Sequence, residues 1–159
     1  MNFTVIIPAR YDSSRLPGKP LMDIAGMTMI QRVYTQAQKS NANQIIVATD
    51  DQRIFDHVVS FGGQAAMTLA DHQSGTDRLQ EVAEKIELPA DQIVVNVQGD
   101  EPLIPPEAIN QVADNLATNS LTGVATLCDL IDIDADLVGS LLVKADSYKK
   151  QTLPPIFPL

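Results

Sequence analysis

The sequence predicts a three-layer α/β fold in which helices cover both faces of a mostly parallel sheet. Two observations lead to this prediction. Short apolar segments rich in β-branched residues alternate along the chain with segments whose apolar residues recur at helical spacing. The strand-like segments are apolar almost throughout, which is typical of strands buried on both faces of a parallel sheet. Because such sheets bind ligands beyond the carboxyl ends of their strands, we expect a functional site in the loops that follow the strands.

The first half of the chain begins with a buried strand, a loop and a helix. Residues 3–8 are apolar and predict the strand, and the Pro- and Gly-containing residues 9–21 predict the loop. Thr28 and Gln31 form a capping-box pattern that predicts the start of the helix. Residues 44–48 then predict a second buried strand, so the chain returns to the sheet.

The remaining elements repeat this alternation. Asp50 and Asp51 follow the second strand, and such residues more often begin a helix than bind a metal ion. The further expected elements are a short strand over 65–69, a helix from Ser74, a buried strand over 92–97, a helix from Pro105 and a strand over 124–127. Strands and helices therefore alternate over most of the chain, as a parallel sheet requires.

Length, charge and cysteine content exclude several classes of protein. The chain has 159 residues, which fits one compact domain, and its formal net charge of −9 has the wrong sign for a nucleic-acid-binding surface. Cys128 is the single cysteine, so neither an internal disulfide nor a four-cysteine zinc site is expected. No apolar run approaches the ~20 residues that span a bilayer, and the amino-terminal residues lack a basic leader. We therefore expect a cytoplasmic protein that binds neither nucleic acid nor membrane.

The loop after the first strand concentrates positive charge in an acidic protein. Arg10, Arg15 and Lys19 lie within ten residues of one another, a pattern that favours an anionic ligand such as a triphosphate. The alternative is a solvated basic surface turn. A P-loop is excluded, because Ser13 stands where its first glycine belongs and Pro20 replaces its metal-binding hydroxyl.

Two later loops add acidic and polar groups. Asp100 follows the strand over 92–97 and is a candidate ligand for Mg²⁺, although a cap of the following turn is the alternative. Ser74 opens a second polar loop, in which helix capping is the alternative to a binding role. Arg78 lies in the first turn of the helix, where a cation opposes the helix dipole, and it is harder to explain by structure alone. His57 and His72 lack zinc-ligand partners and are interpreted as ordinary structural residues.

Taken together, the motifs resemble those of a known family. The segments IPARYDSSRLPGKPL, VATDD, SGTDR and NVQGDEPLI, in this order, are similar to 3-deoxy-manno-octulosonate (Kdo) cytidylyltransferases, and the resemblance extends over residues 2–136. It implies a nucleotide-diphospho-sugar-transferase-like fold. It also implies transfer of CMP from CTP to Kdo with Mg²⁺, giving CMP-Kdo and pyrophosphate for lipopolysaccharide synthesis. Sialic-acid cytidylyltransferases, which share a similar first loop, are the enzymic alternative.

The resemblance also implies roles for individual residues. Arg10, Arg15 and Lys19 would meet the phosphates of CTP, and Asp100 would bind Mg²⁺, so that Arg10, Lys19 and Asp100 form the catalytic set. The residues expected to bind the nucleotide or the sugar are Ala9, Arg15, Ser74, Thr76, Arg78 and Gln98.

The end of the chain departs from both periodicity and resemblance. We expect a nucleotide-binding α/β domain over residues 1–136 and an atypical tail over 137–159, as a frameshift followed by an early stop would produce. Relative to the family we expect a truncated chain without the later segment, which contributes the homodimer contact, much of the sugar pocket and a second acidic metal ligand. A non-catalytic remnant that binds CTP or nothing is therefore a further alternative.

Overall fold

A computed structural model describes residues 2–12, 16–72, 74–119 and 121–127, and the backbone of Ala145–Lys149. The strands are β1 Phe3–Ala9, β2 Asp23–Ile24, β3 Met27–Thr28, β4 Gln44–Thr49, β5 Gln64–Met67, β6 Ile93–Val97, β7 Val124–Thr126 and β8 Ala145–Lys149. The α-helices are α1 Met29–Ala37, α2 Gln52–Ser60, α3 Gly75–Lys85 and α4 Pro106–Thr118, and a short 3-10 helix covers Lys19–Leu21.

The main sheet of the described chain has six strands in the order β5-β4-β1-β6-β8-β7. The first four are parallel, with Ile6 opposite Ile46 on one side and Asn96 on the other. β8 runs antiparallel to both β6 and β7. The predicted mostly parallel α/β sheet is confirmed. The strand β8 was not predicted, and it lies within residues 137–159, whose other positions are outside the described residues.

Alternation along β1 divides the core between the two faces of the sheet. Val5 and Ile7 pack with buried side chains of α1, α2 and α4, while Ile6 packs against Leu79 and Val82 of α3. Both faces of this strand are therefore covered, which explains its continuous apolar sequence. The predicted layers are present, with α1, α2 and α4 on one face of the sheet and α3 on the other.

A two-residue hairpin between β2 and β3 was not predicted. Ala25 and Gly26 both have positive φ, 51° and 84°, as a type I′ turn requires. The guanidinium of Arg32 closes the hairpin, donating from Nε to the carbonyl of Ile24 at 2.7 Å and from Nη2 to that of Ala25 at 3.0 Å. Because Ala-Gly lacks the Asn or Asp that commonly marks this turn, the sequence carried only a weak signal.

The hairpin provides a test of backbone strain. Alanine at φ 51° is disfavoured, so Ala25→Gly should raise the free energy of unfolding by about 1 kcal/mol. Gly26→Ala should lower it by about the same amount, because no atom lies near the added Cβ and only the φ of 84° opposes it. Urea unfolding of both variants checks the pair. Equal stabilities of the two variants would contradict the conformational explanation.

Candidate functional site

The site is centred on an ion pair that joins the loop after β1 to the loop after β6. The ammonium of Lys19 lies 2.6 Å from a carboxylate oxygen of Asp100. Both side chains reach solvent, with exposed fractions of 35% and 53%. The chain order of the strands reverses between β1 and β6, since β4 and β5 lie on the opposite side of β1. This position is the topological switch point, where open α/β sheets bind their ligands.

A tight turn places Lys19 at this point. Gly18 has a φ of +73° and precedes the 3-10 helix that contains Lys19 and Pro20. The amide of Gly18 donates to the carbonyl of Tyr11 at 2.8 Å. A Cβ on Gly18 would lie 3.1 Å from the Tyr11 ring, so the turn requires glycine for its conformation and has little space for a side chain.

Close backbone packing places Asp100. A Cβ on Gly99 would lie 2.6 Å from the carbonyl oxygen of Pro8, a distance that no side chain tolerates. Glycine thus allows the loop after β6 to lie directly on the end of β1. The amide of Glu101 donates to the carbonyl of Gln98 at 3.3 Å and turns the chain at Asp100. Gln98 itself is half-buried beside the predicted metal ligand.

β1 ends at Ala9, and Arg10 follows it at the same edge of the sheet. The Ala9 side chain is buried in the core on the α1 side, so a ligand could meet this residue only through its main chain. Nη2 of Arg10 donates to the carbonyl oxygen of His72, which connects the first loop to the loop between β5 and α3. Arg15, the third predicted cation, lies outside the described residues.

The capping alternative describes Ser74 well. Its hydroxyl accepts a hydrogen bond from the amide of Asp77 at 3.2 Å, and the Asp77 carboxylate accepts from the amide of Ser74 at 3.2 Å. This capping box begins α3 at the predicted position. Thr76 lies exposed in the first turn, next to the same edge of the sheet. Ser74 and Thr76 flank Gly75, which lies near Pro8 of β1, and their binding roles stay predictions, while the Ser74 hydroxyl stabilises the helix.

Arg78, predicted to bind the nucleotide or the sugar, makes structural contacts in the described chain. Its side chain is fully buried. Nη2 donates to the Asp50 carboxylate at 2.8 Å and Nη1 donates to the hydroxyl of Thr68. Arg78 therefore ties α3 to the ends of β4 and β5, and its position in the first turn of α3 has a structural explanation. A charge pair this buried is costly to break, because removing one partner leaves the other without compensation.

A second arginine, Arg53, contacts the loop after β1. Asp51 begins α2, as predicted, by accepting from the amide of Arg53 at 2.9 Å. The Arg53 guanidinium returns bonds of 3.0 and 2.6 Å to the same carboxylate, and these hold the pKa of Asp51 below its usual value. The guanidinium also lies 3.3 Å from the ring centroid of Tyr11, the residue that contacts Gly18. A single sequence gives no signal for this contact.

A third cluster fixes the loop between β5 and α3. The Glu81 carboxylate accepts from the amide of Leu69 at 2.9 Å and contacts Nε2 of His72. Lys85 lies 2.7 Å from its other oxygen and donates to the carbonyl of Met67 at 2.7 Å. Desolvation raises the pKa of Glu81, but the hydrogen bonds from Lys85, His72 and Leu69 outweigh it and lower the pKa to about 2. The interpretation of His72 as structural agrees with this contact.

The low pKa of Glu81 predicts a specific dependence of stability on pH. The folded-state pKa of about 2 is below the ordinary value of 4.5, so the cluster stabilises the fold fully above about pH 4.5 and loses its contribution as the pH falls towards 2. Glu81→Gln should therefore destabilise the protein at pH 7 and show a flatter loss of stability over this window. Thermal unfolding between pH 7 and 2.5 measures both effects. Parallel curves for the two proteins would contradict the assignment.

The described side chains at the site could hold Mg²⁺ only together with a bound ligand. Among the described residues, no three acidic, histidine or cysteine side chains form a group that could hold a metal ion. Asp100 supplies one carboxylate at the switch point. Mg²⁺ commonly binds proteins through one or two carboxylates, retained water and the phosphates of a substrate. Asp100 therefore suits Mg²⁺ that is delivered with a nucleotide.

Within the described residues, none of the helices has the length and apolar composition of a membrane span.

These features define an α/β protein with a candidate ligand site, formed by Lys19 and Asp100, at the topological switch point of a parallel sheet. Residues 4–151 match the cytidylyltransferase family, and the chain belongs to that family. The match runs past Asp136, where the expected resemblance ends, and it includes the strand β8. The similarity therefore extends further along the chain than the resemblance over residues 2–136 predicted.

Individual relatives agree with the family. The chain is 64% identical over 129 residues to the 3-deoxy-manno-octulosonate cytidylyltransferase of Hahella chejuensis, covering 81% of this chain and 51% of the relative. It is 58% identical over 149 residues to the protein of the same name from Vibrio cholerae, covering 94% of this chain and 59% of that relative. The resemblance read from the motifs is confirmed. The chain spans about half the length of these curated relatives.

Solved structures show the same fold. A CMP:2-keto-3-deoxy-manno-octonic acid synthetase in complex with CTP superposes with a TM-score of 0.79 at 36% identity, covering 94% of this chain and 75% of that one. A 4-diphosphocytidyl-2C-methyl-D-erythritol synthase superposes with a TM-score of 0.64 at 12% identity, covering 94% and 75% of the two chains. The second likeness concerns the fold alone. The expected nucleotide-diphospho-sugar-transferase-like architecture is confirmed.

Proposed function

We propose that this chain binds CTP and belongs to an enzyme that transfers CMP to Kdo, giving CMP-Kdo and pyrophosphate for lipopolysaccharide synthesis. The observation that carries the proposal is the Lys19–Asp100 ion pair of 2.6 Å at the switch point of the sheet. A cation that approaches a phosphate and a carboxylate that accepts a metal ion are thus neighbours. The relatives named Kdo cytidylyltransferases support the choice of CTP and Kdo as substrates.

The reaction joins the anomeric hydroxyl oxygen of the sugar to the α-phosphorus of CTP. The bond from that phosphorus to the oxygen of the β-phosphate breaks, pyrophosphate leaves, and the hydroxyl proton passes to solvent. The protein supplies no nucleophile in this scheme, so its contribution is to hold the reacting groups in line and to stabilise charge on the phosphates. Arg10 and Lys19 are two described cations at this edge of the sheet, and Arg15 belongs to the same loop.

Lys19 has two successive partners in the proposed mechanism. In the free protein its ammonium donates to the Asp100 carboxylate. Because both side chains are partly exposed, the ammonium turns to a phosphate oxygen without losing a charge-assisted hydrogen bond. Asp100 is then available to hold Mg²⁺ together with the phosphates. Bound in this way, Mg²⁺ would supply charge neutralisation at the phosphate oxygens. A CTP-dependent enzyme of this kind works in the cytoplasm, where nucleoside triphosphates are held.

Two measurements on the purified chain test the proposal. Pyrophosphate release is followed with CTP, MgCl₂ and Kdo, and calorimetric titration measures CTP binding, with ATP as the comparison nucleotide. Turnover with Kdo supports the full activity, and CTP binding without turnover supports nucleotide binding alone. Turnover with N-acetylneuraminate but not with Kdo selects the sialic-acid alternative. Absence of both binding and turnover overturns the proposal.

A further inference from the structure

We propose that Glu81 is a positioning residue for Arg10. It fixes the segment over residues 68–72, whose last carbonyl holds the Arg10 guanidinium, and so directs that guanidinium towards the ligand. The ligand, a nucleoside triphosphate, is taken from the proposed function above. Glu81 itself lies on α3, and the resemblance assigned it no role.

One carboxylate, that of Glu81, ties the segment at two points. Glu81 accepts from the Leu69 amide at 2.9 Å and contacts Nε2 of His72 three residues later. Lys85 holds the other oxygen of the carboxylate at 2.7 Å, so the carboxylate has a fixed orientation. Lys85 also donates to Met67, the last residue of β5. The segment is thus anchored to the sheet and to α3 at the same time.

Arg10 connects this anchored segment to the site. Nη2 of Arg10 donates to the main-chain carbonyl of His72, so the guanidinium is held by a group whose own position depends on Glu81. A guanidinium has five N–H donors, and one bond to a carbonyl leaves others for phosphate oxygens. A long side chain that is ordered before the ligand arrives loses less conformational entropy on binding. Removing Glu81 should therefore weaken nucleotide binding through Arg10.

The alternative is that Glu81 only stabilises the connection between β5 and α3. A double-mutant cycle separates the two roles, because a residue that acts through Arg10 has no effect once Arg10 is absent. Calorimetry measures the dissociation constant of CTP with MgCl₂ for the wild type, Arg10→Ala, Glu81→Ala and the double variant. Glu84→Ala is the matched control, since Glu84 is exposed on the same helix and its carboxylate accepts a hydrogen bond from Gln80 at 3.0 Å.

We expect Glu81→Ala to raise the dissociation constant of CTP about tenfold, equivalent to ~1.4 kcal/mol, in the wild-type background. In the Arg10→Ala background we expect no further change, and Glu84→Ala should bind CTP as the wild type does. Equal losses in both backgrounds would overturn the positioning role. If Glu81→Ala fails to fold, Glu81→Gln replaces it in the same cycle, because glutamine keeps the volume and an acceptor for the Leu69 amide.

A nucleotide-free measurement keeps this inference separate from the proposed function. The guanidinium resonance of Arg10, identified by its loss in Arg10→Lys, reports hydrogen exchange with water in ¹⁵N NMR spectra. We expect exchange about tenfold faster in Glu81→Ala than in the wild type or Glu84→Ala, because the carbonyl of His72 is then no longer anchored. Unchanged exchange would overturn the inference, even if CTP binds. If the wild type does not bind CTP, the proposed function fails, while the exchange rates still decide whether Glu81 holds Arg10.

Discussion

Asp100→Ala should reduce the rate of CMP transfer by about 10²–10³-fold, the cost of removing one preorganised electrostatic group at a reacting centre. The carboxylate is the described acidic side chain that contacts Lys19, and in the proposed mechanism it is the ligand for Mg²⁺. Asp100→Asn should show nearly the same loss, because the amide keeps the volume but not the charge. Pyrophosphate release at saturating CTP and Kdo measures the effect. If the chain binds CTP without turnover, the Mg²⁺-dependent part of CTP affinity is the equivalent measurement.

The same substitution should leave stability almost unchanged. The Lys19–Asp100 pair is 35% and 53% exposed, and exposed ion pairs contribute only about 0–1 kcal/mol to folding. Loss of activity with unchanged urea unfolding therefore assigns Asp100 to function rather than to the fold. Asp114→Ala, which removes an exposed carboxylate from α4, is the control for a change in net charge. Full activity in Asp100→Ala would remove the basis of the proposed mechanism.

The strands and helices could be predicted wherever burial imposes a regular pattern of apolar residues on the sequence. β1 and β6 are buried on both faces, so their apolar sequences identified them, and the capping residues Thr28 and Ser74 marked helix starts. β8 was not predicted because the sequence ADSYK is polar, and its strand conformation depends on pairing with β6 and β7. The β2–β3 hairpin was missed because its turn lacks the usual residues.

The site was partly predictable for a topological reason. Lys19 and Asp100 are 81 residues apart, yet both follow parallel strands, and such loops meet at one edge of the sheet. The role of Arg78 was not predictable in this way, since its partner Asp50 belongs to a different loop and a single sequence does not show which charges pair. The contact of Arg10 with His72 involves a main-chain carbonyl, which carries no side-chain signal at all.

Among glycine-to-alanine substitutions at the site, Gly99→Ala should lower stability and CTP affinity the most. The added Cβ would lie 2.6 Å from the Pro8 carbonyl oxygen, and both groups belong to backbone that cannot move aside cheaply. Relief requires the loop after β6 to move away from β1, which carries Asp100 away from Lys19. We expect a loss of about 1–3 kcal/mol of stability, the usual cost of overpacking, and CTP affinity at least about tenfold weaker.

Gly75→Ala provides the matched comparison for stability, because its Cβ would also meet Pro8, but at an ordinary 3.6 Å from Cγ. Gly75 is the first residue of α3, where alanine is the better helix former, so this variant should be as stable as the wild type or more so. Urea unfolding compares the two variants. Equal stability of Gly99→Ala and Gly75→Ala would show that the loop after β6 has room to spare. The close approach of Gly99 to β1 would then not be what places Asp100 beside Lys19.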